Sequence, residues 1–240
     1  MTALVLTHAA GEGPGWLADW LPAAGLDLEV LEPWNGDELP ERAEGHEALV
    51  VMGGPQQAYD DRSAPWLQQT KDLLRRAVGD ELPVLAVCLG AQLLAEAMGG
   101  RTAPGEEGPE LGARLVAKRD AAATDPLFYD LPFTPPVVQW HWDAVVDLPP
   151  GALLLASSAR YAHQAFRIGR SAWGLQFHIE TPPQMVHDWV GTDADALVEA
   201  GLDPAAVLNG SLSELDEVAK VWQPVMGHFA RLALASRGSD

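Results

Sequence analysis

Three clusters of residue types in this sequence could carry out acyl transfer. The first is Leu82-Pro-Val-Leu-Ala-Val-Cys88-Leu-Gly90-Ala-Gln92, where an apolar run gives way to a helical pattern at the chain's one cysteine. A side chain at a strand-to-helix junction stands above the C-terminal end of the strand. Gly90 lets the following backbone pass closely, as in the nucleophile elbow of serine hydrolases. The helix N-terminus brings positive dipole and free N–H groups near the sulfur, which favours the thiolate. A lone cysteine is also commonly an inert packing residue, so Cys88 needs company before it means chemistry.

The second cluster, Trp173-Gly174-Leu-Gln-Phe177-His178-Ile-Glu180, supplies that company. An apolar strand delivers His178 at its C-terminal end, the edge at which parallel sheets place their sites. Glu180 follows two residues later, so strand alternation puts both side chains on one face. A carboxylate there fixes the imidazole tautomer and leaves the other ring nitrogen free to face a thiol. In the third cluster, Val50-Val-Met-Gly53-Gly54-Pro55-Gln56, two glycines at a strand end leave backbone N–H groups unscreened. Together with the amide of Leu89, such donors suit the oxygen of a tetrahedral intermediate.

The elements that must position these groups are legible as alternating patterns. Residues 3–7, 26–31, 48–52 and 84–87 are short apolar runs that read as buried strands. Residues 64–78 and 89–98 read as helices; in the first, Trp66, Leu67, Leu73, Leu74, Ala77 and Val78 recur near a 3.6 period, and Gly99-Gly100 stops the second. Strands alternating with helices argue for a parallel sheet covered on both faces. Residues 111–117, 137–140, 153–158, 165–168 and 172–177 are strand candidates with no helix between them, which predicts an antiparallel section grafted onto that sheet. After Pro182-Pro183 the chain returns to helix. The spacing predicts a long one over 211–235, opened by a Ser211-x-x-Glu214 capping box and kinked at Pro224. The expected fold class is therefore α/β, and one domain over 1–240 is expected, with a core to about 190 and a helical extension from about 191.

The chain has 240 residues, 34 acidic against 15 basic, for a net charge of −19. Such a surface repels phosphate backbones and anionic lipid heads, so neither nucleic acid nor a membrane is expected as a partner. A single cysteine forms no internal disulfide. No apolar run reaches the roughly 20 residues that span a bilayer, and residues 1–8 do not read as a signal peptide. The expectation is a cytoplasmic protein, in which Asn209-Gly-Ser211 is a chance sequon. Gly11-Glu-Gly13-Pro-Gly15 lacks the third glycine of a dinucleotide fingerprint, since position 16 is Trp16. His141, Asp143 and His163 have no second cluster at metal-ligand spacing, so no metal is expected. His8, His46, His187 and His228 read as solvent-facing or packing residues.

In their order along the chain, Gly53-Gly54-Pro55, Cys88-Leu-Gly-Ala-Gln92 and Gly174-Leu-Gln-Phe-His178-Ile-Glu180 resemble the class I (triad) glutamine amidotransferase family. Free-standing members related to the GMP synthase glutaminase domain are the nearest likeness, and His8-x-x-x-Glu12-Gly-Pro-Gly15 also resembles them. The resemblance implies a three-layer α/β sandwich, with Cys88 as nucleophile, His178 as acid and base, and Glu180 orienting His178. It implies oxyanion amides at Gly54 and Leu89, and substrate contacts at Gly53, Gln92, His141 and Trp142. Ala86 stands where the family usually has glycine, and Ile179 where it usually has proline between the histidine and the glutamate. Gln139-Trp-His141-Trp-Asp143 replaces the family's His-x-His-Gly-Asp.

The implied reaction is hydrolysis of the glutamine side chain through a γ-glutamyl thioester, with no cofactor. The ammonia would serve an acceptor reaction on a partner synthetase chain, and the long helix would leave a face for a homodimer. A γ-glutamyl peptidase with the same triad is the alternative, and a non-catalytic regulatory module on the same fold ranks below it.

Overall fold

The structure, a computed structural model, describes residues 1–236. Its elements run β1 (Thr2–Leu6), α1 (Leu17–Ala23), β2 (Asp27–Leu31), β3 (Ala48–Val51), α2 (Trp66–Gly79), β4 (Val84–Val87) and α3 (Leu89–Ala97). Then come β5 (Arg101–Pro104), β6 (Glu110–Leu115), β7 (Ala117–Lys118), β8 (Pro136–His141), β9 (Asp143–Asp147), β10 (Leu153–Ser157), β11 (Ala165–Ile168) and β12 (Ala172–Leu175). Three helices close the chain: α4 (Pro183–Thr192), α5 (Ala194–Glu199) and α6 (Pro204–Ala235).

Eight strands form the central sheet in the order β2-β1-β3-β4-β12-β11-β10-β7. The first five are parallel and the last three antiparallel, as the change in sequence pattern anticipates. Alternation along the strands divides the core. Ala3, Val5, Val50, Leu85 and Val87 face α1 and α6, whereas Leu4, Leu6, Leu49, Val51 and Val84 face α2 and α3. The protein is thus a three-layer α/β sandwich. Two ribbons, β6–β8 and β5–β9, stand apart from the sheet. A smaller core joins Leu111, Val138 and Trp140 of the first ribbon to Met185, Val186 and Trp189 of α4.

Several expectations are corrected. Residues 26–31 are not a buried strand: β2 is the sheet edge, with Asp27, Glu29 and Val30 exposed. The run 111–117 divides into β6 and β7, which lie in different sheets. β5 and β9 escaped notice because their polar residues mask the period of two. α6 starts seven residues before the proposed box, at Pro204, where the Asp203 carboxylate caps the Ala205 N–H at 3.0 Å. Ser211 is buried inside this helix and its hydroxyl accepts the Ala113 N–H at 3.2 Å, so it ties α6 to β6 rather than capping anything. Pro224 does fall inside this helix, as the sequence pattern implies.

α6 also does more than extend the chain. Val218, Trp222, Val225, Met226 and Phe229 belong to the same core as the inner strands. The Trp222 Nε1–H donates to Pro136 O at 2.8 Å, and its ring meets Phe128 and Phe177. Among the described residues no helix is long and apolar enough to cross a membrane.

Because Trp222 lies between the sheet and the helix layer, Trp222→Ala should cost about 3–5 kcal/mol. Urea unfolding followed by circular dichroism should show one transition at a lower midpoint. An unchanged midpoint, or α6 melting separately from the sheet, would show that the helix is an appendage.

Candidate functional site

The three clusters meet at the C-terminal edge of the parallel strands. β4 ends at Val87, and Cys88 takes φ 52° and ψ −109° before α3 begins at Leu89. Cys88 and Glu81 are the only non-glycine residues with positive φ among those described. Such a conformation costs on the order of 1–3 kcal/mol and persists only when its surroundings enforce it. The Cys88 N–H is held by Leu175 O at 2.7 Å, which fixes the turn to β12. On the other side, a Cβ at position 90 would collide with the carbonyl of Val51, so only glycine lets α3 start this close to β3. The sharp turn anticipated for Cys88 is therefore present, with its physical causes.

His178 is positioned differently from expectation. β12 ends at Leu175, so the histidine lies three residues beyond the strand instead of at its end. It forms an isolated antiparallel bridge with β8: Val138 N–H donates to His178 O at 3.0 Å, and His178 N–H to Val138 O at 2.8 Å. The pairing with Glu180 holds nonetheless. His178 Nδ1 is 2.8 Å from Glu180 Oε1, and the side chains of both are almost completely buried. The second carboxylate oxygen accepts the Ile179 N–H at 2.8 Å. A proline at 179 would have no N–H to give, so this departure from the family pattern adds a bond that holds Glu180.

With Nδ1 engaged by Glu180, Nε2 of His178 is left for the thiol, and the Cys88 sulfur is close enough to act on the charge of the imidazole. Burial by itself would lower the His178 pKa. The Glu180 carboxylate and the Cys88 sulfur outweigh it and hold the imidazole well above its ordinary value. The Cys88 Sγ lies 3.7 Å from Trp140 O and 3.9 Å from Gln176 Nε2.

The remaining anticipated residues are close by. A Cβ on Gly53 would sit 3.1 Å from His178 Cε1 and 3.6 Å from Cys88 Cβ, so glycine keeps the pair uncovered. One on Gly54 would sit 3.0 Å from Leu89 Cδ2, placing these two residues side by side. Gln92 is buried and donates to Asp143 O at 3.1 Å and Gln176 Oε1 at 3.2 Å. His141 is buried, with Nδ1 2.9 Å from Asp143 O. Its Nε2 has no hydrogen-bond partner among the described residues, Glu110 Oε2 lying 3.5 Å away. Trp142 is 39% exposed at the rim. Ala86 is buried in β4 between Val51 and Gly174, where its methyl is accommodated.

Cys88, His178, Gln92, His141, Trp142 and Gly54 all line one cavity of about 560 Å³. Further lining residues were not singled out from sequence as site residues, among them Glu12, Asp188, Trp189 and Asp193 of the loop after β1 and of α4 and the residue that follows it. Only Glu12 carried a signal, its place in the His8-to-Gly15 motif; α4 looked like generic helix. No cluster of three or more potential metal ligands occurs among the described residues.

His8 is completely buried beside Gly54, and neither ring nitrogen has a hydrogen-bond partner among the described residues. Burial lowers its pKa to about 4. His46 instead pairs with Glu29 at 3.1 Å, and His228 stacks on Tyr129.

A family model, glutamine amidotransferase class-I, matches residues 16–187. The chain is 28% identical over 200 residues to a glutamine amidotransferase-like protein of Salmonella typhimurium, covering 81% of this chain and 82% of that protein. It is 26% identical to gamma-glutamyl peptidase 4 of Arabidopsis thaliana, over 81% of this chain and 78% of that one. Against the glutamine-hydrolysing GMP synthase of Thermomicrobium roseum identity is 33%, covering 68% of this chain but 28% of that longer protein. Among solved structures, a glutamine amidotransferase from Thermotoga maritima superposes with a TM-score of 0.86 at 27% identity, over 96% of this chain and 98% of that one.

The buried neutral His8 predicts acid sensitivity. Between pH 6.5 and about 4 the unfolded chain binds a proton that the folded chain refuses. Stability from this source is complete above pH 6.5 and falls with pH, by about 3 kcal/mol in all. Urea unfolding from pH 7 to 4 should show this component, and His8→Leu should lack it. Parallel curves for the two proteins would refute the assignment.

Proposed function

The chain belongs to the class I glutamine amidotransferase family, and on that premise we propose that it hydrolyses a γ-glutamyl amide through a cysteine thioester, glutamine being the simplest such substrate. The observation that carries the reading is the buried Cys88–His178–Glu180 array at the floor of an open cavity. In this reading His178 accepts the Cys88 proton, and the sulfur attacks the side-chain carbonyl carbon of the substrate. The amides of Gly54 and Leu89 stabilise the oxyanion. His178 then returns the proton to the departing nitrogen, and water hydrolyses the thioester to glutamate. Glu180, pinned by His178 and Ile179, keeps the imidazole in the tautomer this requires.

In this reading Gln92, His141 and Trp142 of the cavity lining, with Gly53 beside Cys88, receive the glutamyl portion. Gln92 is already held by Asp143 O and Gln176, so its amide is oriented before substrate arrives. Released ammonia would pass to a synthetase on another chain when glutamine is the substrate. The likeness to gamma-glutamyl peptidase 4, with a cavity roomier than a glutamine side chain needs, supports the second reading, a hydrolase of larger γ-glutamyl amides. Neither reading requires a metal or organic cofactor. α6, packed into the sheet's core, supports the view that residues 1–236 act as one unit.

Cys88→Ala should abolish turnover while keeping the fold, because it removes one sulfur atom. His178→Ala should lower kcat by about 10²–10⁴-fold through lost proton transfer, and Glu180→Gln by less. Mass spectrometry after quenching should find a glutamyl adduct on Cys88. Turnover by the Cys88→Ala protein, or an adduct elsewhere, would overturn the mechanism.

A further inference from the structure

We propose that the part of the cavity lined by Glu12, Asp188, Trp189 and Asp193 is a subsite for a positively charged leaving amine. The preferred substrates of this site are then γ-glutamyl amides of diamines or polyamines. This rests on the thioester reaction proposed above, and it specifies which amide the site takes.

The position of the leaving group follows from the reaction. The nitrogen that departs must lie within reach of the proton on His178. The residues that crowd His178 on the cavity side therefore face whatever that nitrogen carries. Glu12 is one: a Cβ on Gly53 would lie 3.1 Å from His178 Cε1 and 3.4 Å from Glu12 Oε2, so imidazole and carboxylate approach the same small gap. Trp189 is the other, its ring centroid 4.7 Å from that of His178.

These groups are built as a unit. The Trp189 Nε1–H donates to Glu12 Oε1 at 2.8 Å, and the Trp140 Nε1–H donates to Asp193 Oδ2 at 2.8 Å. The two indoles stack with centroids 5.5 Å apart. Each indole N–H thus fixes a carboxylate, and Asp188 adds a third to the lining. No lysine or arginine lines the cavity. Fixed carboxylates beside aromatic faces are the chemistry that recognises an ammonium group. Burial raises the pKa of Glu12, a cost that a bound cation would offset. Elsewhere in the lining, Asp143 Oδ2 is buried without a hydrogen-bond partner among the described residues, a polar atom that a ligand could satisfy. A net charge of −19 further draws cations toward the protein.

In the proposed step the Cys88 sulfur bonds to the γ-carbonyl carbon as its proton moves to His178. The carbon–nitrogen bond then breaks with its electron pair staying on nitrogen, which takes the proton from His178. The amine leaves with its distal ammonium intact, and water cleaves the thioester to glutamate and free thiol. A leaving group ending in a carboxylate would instead meet the carboxyl groups of Glu12, Asp188 and Asp193, with no lysine or arginine among the lining residues to balance them.

Three γ-glutamyl amides of similar size test this: those of 1,5-diaminopentane, n-pentylamine and 5-aminopentanoate. The wild-type protein should show kcat/KM highest for the diamine and lowest for the aminopentanoate, with a span on the order of tenfold or more. The span should shrink as salt rises from 0.05 to 0.5 M, values chosen to shorten the screening length to a few ångströms. Glu12→Gln should compress the span chiefly through KM for the diamine. Asp188→Asn, an exposed change that leaves the fold secure, should compress it in the same direction. Equal rates for all three amides, or preference for the anionic one, would overturn the subsite while leaving the thioester reading intact. Failure of the wild-type protein to hydrolyse any of them, or glutamine, would count against that reading itself.

Discussion

The turn at Cys88 is the constraint on which the site depends. A φ of 52° at a residue with a side chain is unfavourable, and the fold enforces it from two sides. β12 grips the cysteine N–H, and α3 is pressed so close to β3 that position 90 admits no side chain. The sulfur is thereby lifted off the sheet edge toward the cavity, instead of being packed between strand and helix as a lone cysteine commonly is. The two glycines after β3 clear the space in front of it. Remove any of these features and the same residue types would be present without a common focus.

Electrostatics completes what the backbone begins. Glu180 is buried, yet both of its oxygens have donors, one an imidazole nitrogen and one a backbone amide. A buried carboxylate so satisfied can oppose the desolvation of His178 without itself being an uncompensated charge. His178 has two acidic neighbours in different settings: Glu180, fully engaged by hydrogen bonds, and Glu12, in the cavity lining. The difference lies in their partners. An indole N–H and partial burial leave Glu12 with capacity to spare, and Glu180 has none.

Most of the architecture was readable because hydrophobic period and turn chemistry agree in the inner strands. Val84–Val87 is apolar at every position, as a strand buried on both faces must be, and Cys88-Leu-Gly90 marks its end. Where a strand is only half-covered the signal fades: Asp27–Leu31 owes its place to pairing with β1, and its side chains are mostly outside. β5 and β9 are specified by each other, through residues about forty positions apart, so no local pattern betrays them. That Cys88, His178 and Glu180 would meet was legible through motif order, but His178's bridge to Val138 was not, since it is a contact between distant segments. α4's share of the cavity was hidden for the same reason: which face of a helix meets a cleft is decided by what it packs on. Ser211 shows the opposite hazard, a convincing local signature overruled by the tertiary bond it makes to β6.

The thiol and the imidazole are anchored to different parts of the molecule. Cys88 belongs to the sheet, while His178 is stitched to the β6–β8 ribbon, which also packs against α4 and its indole, Trp189. In the proposed mechanism, proton exchange between them would work as a gauge of how closely ribbon and sheet are seated. A load applied to the outside of the ribbon, far from any reacting atom, would be read out as a change in the gap across which a single proton must jump.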